Sequence, residues 1–222
     1  MRLLIIFIFF LSNAFAGDLS HMKNIIINKE LKTHNNLAFL DSNQNFIELD
    51  DYKAPKGIES YFINMDDGIK IRVCHWLQKK EKSTGTVLLQ QGHNEFIEKY
   101  FETIQEFIDR GYSVICFDWR GQGLSERMID DIHKSFIPDF ERHDKDLEKI
   151  LEEIIEPFFP KPLIGIGHSM GGCLMLSALH NHPTKFSYGI LSAPMLGFKN
   201  ENFLRTASSI MNFLKKDTDY LI

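Results

Sequence analysis

Apolar residues in this chain fall into two rhythms that alternate from about residue 59 onward. Tyr61–Met65 and Ile69–Trp76 read as strands on either side of Asp66-Asp67-Gly68, and Asp-Gly between two such runs predicts a hairpin. The second run alternates, which predicts one solvated face. Thr86–Gln91 predicts a buried strand. Phe101, Ile104, Phe107 and Ile108 then recur at helical spacing, and Gly111 closes that helix. Tyr112–Trp119 predicts the next buried strand. Leu147, Ile150, Leu151, Ile154 and Ile155 form one stripe of a helix over about Glu141–Glu156, with acidic residues opposite as a solvated face and Pro157, Pro160 and Pro162 to stop it. A short apolar strand over Leu163–Ile166, a helix ending near His182 and a strand over Tyr188–Ser192 follow. Phe203, Ala207, Ile210, Met211 and Leu214 mark a last amphipathic helix over Asn202–Lys216. A hairpin followed by strands alternating with helices predicts an α/β fold, a mostly parallel sheet with helices on both faces. Ligands of such sheets bind at the carboxyl ends of the strands.

The first residues break this pattern. Arg2 gives a positive start, Leu3–Leu11 is an unbroken apolar run of nine, and Ala14-Phe15-Ala16 precedes Gly17. That is the layout of a secretory signal peptide, and the run is shorter than the ~20 residues a spanning helix needs. Export, to a periplasmic, secreted or membrane-associated location, is the expectation, with an uncleaved anchor as its rival. Gly17–Lys56 is polar and rich in Asn and Asp, and irregular structure or short helices are expected there. A net charge of −5 gives no sign of a nucleic-acid partner. Cys74, Cys116 and Cys173 form no C-x-x-C, lie in apolar strands or helices, and read as buried thiols. Nothing in the chain calls for a metal or another cofactor.

The chemistry centres on Gly167-His168-Ser169-Met170-Gly171, a G-x-S-x-G set between an apolar strand and a helix. In that context the motif is a nucleophile elbow: the turn strains the serine and lifts its hydroxyl above the sheet at a helix N-terminus. A Cβ at Gly167 or Gly171 would collide with the neighbouring strand or helix. The rival reading is a glycine-rich turn carrying an incidental serine.

Four segments in order, Gln91-Gly92-His93-Asn94-Glu95, Asp118–Ser125, Gly167–Gly172 and Leu191–Met195, resemble the α/β-hydrolase superfamily. More narrowly they resemble the bacterial lysophospholipases and monoacylglycerol lipases that share the serine aminopeptidase S33-type domain. Gln91 stands where the lipase branch often has histidine, which favours the lysophospholipase branch. The resemblance implies an exported serine ester hydrolase that releases fatty acid from a lysophospholipid or monoacylglycerol. Ser169 would be the nucleophile, and the backbone N–H groups of Met170 and His93 the oxyanion hole. The His93 side chain is a candidate base, but its place in the oxyanion loop favours the backbone role. His168 is expected to pack beside its strand, and Asp118 and Arg120 to hold their turn without a catalytic part. Peptidase activity, implied by the domain's traditional name, ranks below ester hydrolysis.

The family's triad runs Ser, then Asp or Glu, then His, with the last two after a cap. After Ser169 this sequence offers His180 and His182, on the elbow helix, and Asp217 and Asp219 near Ile222. The implied layout is a leader over residues 1–16, an irregular segment over 17–57, the hydrolase core over 58–197 and the start of a cap over 198–222. On this reading the C-terminal strands and most of the cap are lacking. A rival reading is therefore a non-catalytic remnant, or half of a split hydrolase with a separately encoded C-terminal half as partner. A lipid-like ester is the implied substrate, with association at a membrane surface.

Overall fold

The computed structural model describes residues 53–79, 83–131 and 133–197, together with the backbone of a three-residue strand, β1 (Leu37–Phe39). The leader expected over residues 1–16, the helix expected over Asn202–Lys216, and Asp217 and Asp219 lie outside the described residues. β2 (Glu59–Asn64) and β3 (Lys70–Trp76) form the expected hairpin, with Asn64 opposite Lys70 and Gly68 at φ 85° in the turn. β1 adds antiparallel to β2. Irregular structure or short helices were expected at those three residues. Pairing with an open edge overrode their weak local pattern.

β4 (Gly85–Gln90), a 3₁₀ turn (Ile97–Tyr100), α1 (Phe101–Asp109) and β5 (Tyr112–Phe117) follow. Next come α2 (Glu141–Ile150), β6 (Leu163–His168), α3 (Met170–Asn181) and β7 (Tyr188–Ser192). The sheet order is β1-β2-β3-β5-β4-β6-β7. β5, β4, β6 and β7 run parallel to one another, and β3 joins them antiparallel. Among the described residues β7 is one edge. The chain is an α/β fold with a mixed sheet and helices on both faces.

Each face carries its own apolar core. On one, Leu147, Ile150 and Ile154 of the α2 region and Leu174 and Met175 of α3 meet Ile71, Val73 and Leu88 of the sheet. On the other, Phe101 and Ile104 of α1 meet Cys74, Trp76, Val87 and Leu89. β3 serves both cores, so its expected solvated face is not there: Ile71–Trp76 is buried throughout. The misleading residue is Arg72. It is fully buried because Glu98 takes two of its hydrogen bonds, at 2.7 and 2.9 Å, and Asp118 takes a third at 2.7 Å. Burial opposes the charged guanidinium, but the bonds to Glu98 and the field of Asp118 outweigh it and raise its pKa.

α2 continues as a π-turn over Leu151–Ile155 and a last turn over Glu156–Phe158. Pro157 thus sits inside the final turn, and the helix ends one residue beyond it, at Phe158. The acidic face is solvated at Glu148, Glu152 and Glu156. Asp146 departs from it: it is buried and holds Arg120 through two bonds of 2.6 and 2.5 Å. Cys74 and Cys116 are buried free thiols, whereas Cys173 on α3 is only partly covered.

Candidate active site

The sequence of β6 forces an abrupt turn at its carboxyl end. Ser169 sits there at φ 50° and ψ −116°, directly before the first residue of α3. No L-residue adopts such a backbone without cost, roughly 1–3 kcal/mol. The surroundings hold it there. Ser169 N–H donates to the Ser192 carbonyl at 3.0 Å, and the Ser169 carbonyl accepts from Met195 N–H at 2.9 Å and Cys173 N–H at 3.1 Å. A Cβ on Gly171 would lie 2.5 Å from the Gln91 carbonyl oxygen and 2.6 Å from that of Gln90, and one on Gly167 would strike the Gly171 carbonyl. Only glycine lets α3 leave so close to β4. Ser169 is half-buried.

The loop after β4 lies against this turn: a Cβ on Gly92 would come within 3.1 Å of Ser169 Cβ. Gly92 N–H donates to Glu95 Oε2 at 2.7 Å, and Asn94 N–H, at φ 57°, donates to Gln122 Oε1 at 2.6 Å. Between them, the N–H of His93 makes no hydrogen bond among the described residues, and its imidazole is exposed. Met170, as the first residue of α3, likewise has an N–H without an intrahelical partner. Two amides without acceptors among the described residues thus flank a strained serine at a helix N-terminus, the arrangement that receives a developing oxyanion.

Glu95 is the hub of the loop. Its carboxylate accepts from Gly92 N–H, from Tyr100 OH at 2.6 Å and from Lys99 Nζ at 2.8 Å, and His168 Nδ1 lies 3.0 Å away. Burial alone would raise its pKa, but Lys99, Tyr100, Gly92 and His168 together bring it down to about 2. His168 was expected simply to pack beside its strand. Its side chain is instead 40% exposed and reaches across to Glu95, because the last position of β6 lies over the loop.

Asp118 and Arg120 hold their turn as expected, and more. Asp118 accepts from Leu124 N–H within the turn, from Ile97 N–H ahead of α1, and from Gln91 Nε2. Arg120 ties the turn to α2 through Asp146 and to the hairpin through Asp67. His180 and His182 lie on the last turn of α3 and just after it, ~16 Å or more from Ser169 at 1.5 Å per residue. Glu95 and Gln122 carried no role in the sequence beyond their places in the Gln91–Glu95 and Asp118–Ser125 segments. A cavity of about 230 Å³ opens between Asn94, Phe96, Gln122, Leu124 and Arg127, and Ser169 is not in its wall. Among the described residues no cluster of three or more His, Cys, Asp and Glu could hold a metal ion.

Sheet order, crossovers and elbow define an α/β hydrolase. The family model described as "Serine aminopeptidase, S33" matches residues 81–220, and the chain belongs to that family. It is 28% identical over 155 residues to the probable lysophospholipase L2 of Haemophilus influenzae, a match covering 69% of this chain and 49% of that protein. It is 27% identical over 125 residues to the monoglyceride lipase of Rattus norvegicus, covering 55% of this chain and 39% of the relative. The chain thus spans half or less of the length of these relatives. Among solved structures, a thermostable carboxyl esterase from Bacillus coagulans superposes with a TM-score of 0.62 at 19% identity, over 75% of this chain and 54% of that one, a likeness of fold.

Proposed function

We propose that the protein is a serine ester hydrolase that releases fatty acid from a lysophospholipid or a monoacylglycerol through an acyl-enzyme on Ser169. The observation that carries the reading is the strained Ser169 beside two uncommitted amides, Met170 N–H and His93 N–H. Ser169 Oγ attacks the acyl carbon, and its hydroxyl proton ends on the oxygen of the departing alcohol. The carbonyl oxygen takes the negative charge and accepts from both amides, the alcohol leaves with a proton, and water then releases the acid. The similarity to a lysophospholipase and a monoglyceride lipase supports a single-chain lipid ester over other acyl donors.

A serine hydroxyl is a weak nucleophile until a base takes its proton. The described residues assign no base: His93 is on the loop itself, and His180 and His182 are at the other end of α3. The test is fatty-acid release from a lysophospholipid and a monoacylglycerol, run beside fluorophosphonate labelling. Both activities should disappear in Ser169→Ala. Equal labelling or release by that variant would show that the elbow serine is not the nucleophile. Turnover by wild type that His93→Ala abolishes would assign the base to His93.

A further inference from the structure

We propose that Glu95 and Gln122 are positioning residues that preset the oxyanion hole, by taking the amides on either side of the one that must stay open. The proposal rests on the reading of Ser169 and His93 given above. Three consecutive amides decide the matter. Gly92 N–H is taken by Glu95 Oε2 at 2.7 Å, Asn94 N–H is taken by Gln122 Oε1 at 2.6 Å, and His93 N–H lies between them with no partner among the described residues.

A peptide unit is planar, so an N–H is aimed by the dihedrals of the residues on either side of it. Pinning the Gly92 and Asn94 amides fixes the two peptide planes that flank the His93 amide. Without the pins that amide belongs to a loop with glycine at one side and a left-handed Asn94 at the other, where a peptide flip is cheap. A donor aimed before the reaction begins costs no reorganisation when charge develops.

Both pins are themselves held. Tyr100 and Lys99 donate to the Glu95 carboxylate and His168 Nδ1 sits 3.0 Å from it, so the loop is also tied to the residue before Ser169. Gln122 is 3% exposed and sits in a turn closed by Gln122 N–H to the Trp119 carbonyl and Ser125 N–H to the Gln122 carbonyl. Its amide orientation follows from chemistry, since only the oxygen can accept from an N–H. The two pins reach the loop from different directions: Glu95 from within it, Gln122 from the turn after β5.

The test separates a preset donor from general loop stability. Fluorophosphonate labelling of Ser169 is resolved into the rate at saturating probe and the half-saturating concentration. Amide hydrogen exchange is followed at Gly92 and Asn94. Glu95→Ala and Gln122→Ala should each slow the saturated rate on the order of tenfold with the half-saturating concentration unchanged. That is a part of the 10²–10³ that loss of a whole donor costs. Exchange should rise at Gly92 in the first variant and at Asn94 in the second. Glu95→Gln, which keeps an acceptor oxygen, should recover most of the rate, and Gln122→Met serves as a near-isosteric second variant should Gln122→Ala not fold. Saturated rates equal to wild type, or a loss seen only in the half-saturating concentration, would overturn the proposal. So would Gly92 and Asn94 amides that exchange in wild type as fast as an unstructured chain. A wild-type Ser169 that takes no label overturns the proposed function instead, and the exchange pattern still decides the pinning.

Discussion

Gly92 and Ser169 touch across the site: a Cβ on Gly92 would lie 3.1 Å from that of Ser169, and 2.8 Å from Glu95 Oε2. The turn that carries Ser169 and the loop after β4 are therefore packed so closely that a methyl group on Gly92 fits only if its neighbours shift. Gly92→Ala should push the loop off the elbow and misplace the His93 amide. We expect Ser169 labelling to fall on the order of a hundredfold, as for loss of one oxyanion donor. Thermal unfolding should show that the variant is still folded, at a cost of about 1–3 kcal/mol for overpacking. Labelling equal to wild type would mean that the loop does not serve the serine.

The backbone of Ser169 makes a second, opposite prediction. At φ 50° and ψ −116°, a side chain is a liability that glycine would not carry. Ser169→Gly should be more stable than wild type by about 1 kcal/mol, which in a chain of this size is roughly 2–4 °C in Tm. Ser169→Ala keeps the Cβ and should show no such rise. Equal melting of the two variants would indicate that the turn is relaxed.

Arg120 and Asp146 form a buried pair joining the turn after β5 to α2, with exposures of only 1% and 2% for the two side chains. Removing one partner strands the other, and Arg120→Ala should cost about 3–5 kcal/mol in urea unfolding. Arg120→Met combined with Asp146→Leu should recover much of that loss, because the uncompensated charge is then gone. A single variant as stable as wild type would show that the pair carries no such burden.

His143 gives a pH dependence with a definite sign. Burial first, then the charges of Arg120 and of His93, bring its pKa from the ordinary 6.5 down to about 4, while Trp119 and Phe140 pack edge-on against its ring. Between these two values the unfolded chain binds the proton and the folded chain does not, so stability falls as pH falls. Relative to His143→Phe, which keeps the aromatic packing, wild type should lose on the order of 1 kcal/mol per pH unit between about pH 6.5 and 4. Above pH 7 the difference between the two should be flat. Parallel curves across the whole range would mean that His143 protonates without penalty.

For the leader, Arg2, the nine-residue apolar run and Ala14-Phe15-Ala16 lead us to propose cleavage on export. N-terminal sequencing of the exported protein should begin at Gly17, and a retained Met1 would count against it.

What the sequence determined by itself is what local rules govern. The elbow could be read from ten residues, because a strand, a turn that only glycine permits and a helix start are short-range events, and the structure has them at Leu163–Asn181. The Asp-Gly hairpin and the order of strands and helices were legible for the same reason: each is written in periodicity and turn residues. What only the tertiary structure decided are relations between residues far apart in the chain. Arg72 became a core residue because Glu98 and Asp118, 26 and 46 positions away, neutralise it, and no pattern on its own strand could reveal that. His168 meets Glu95 across 73 positions, and Gln122 meets the Asn94 amide across 28. Such pairs leave no periodic trace, since a single polar contact constrains one residue at each end. They form only once the parallel crossovers have brought the carboxyl ends of β4, β5 and β6 to one edge of the sheet.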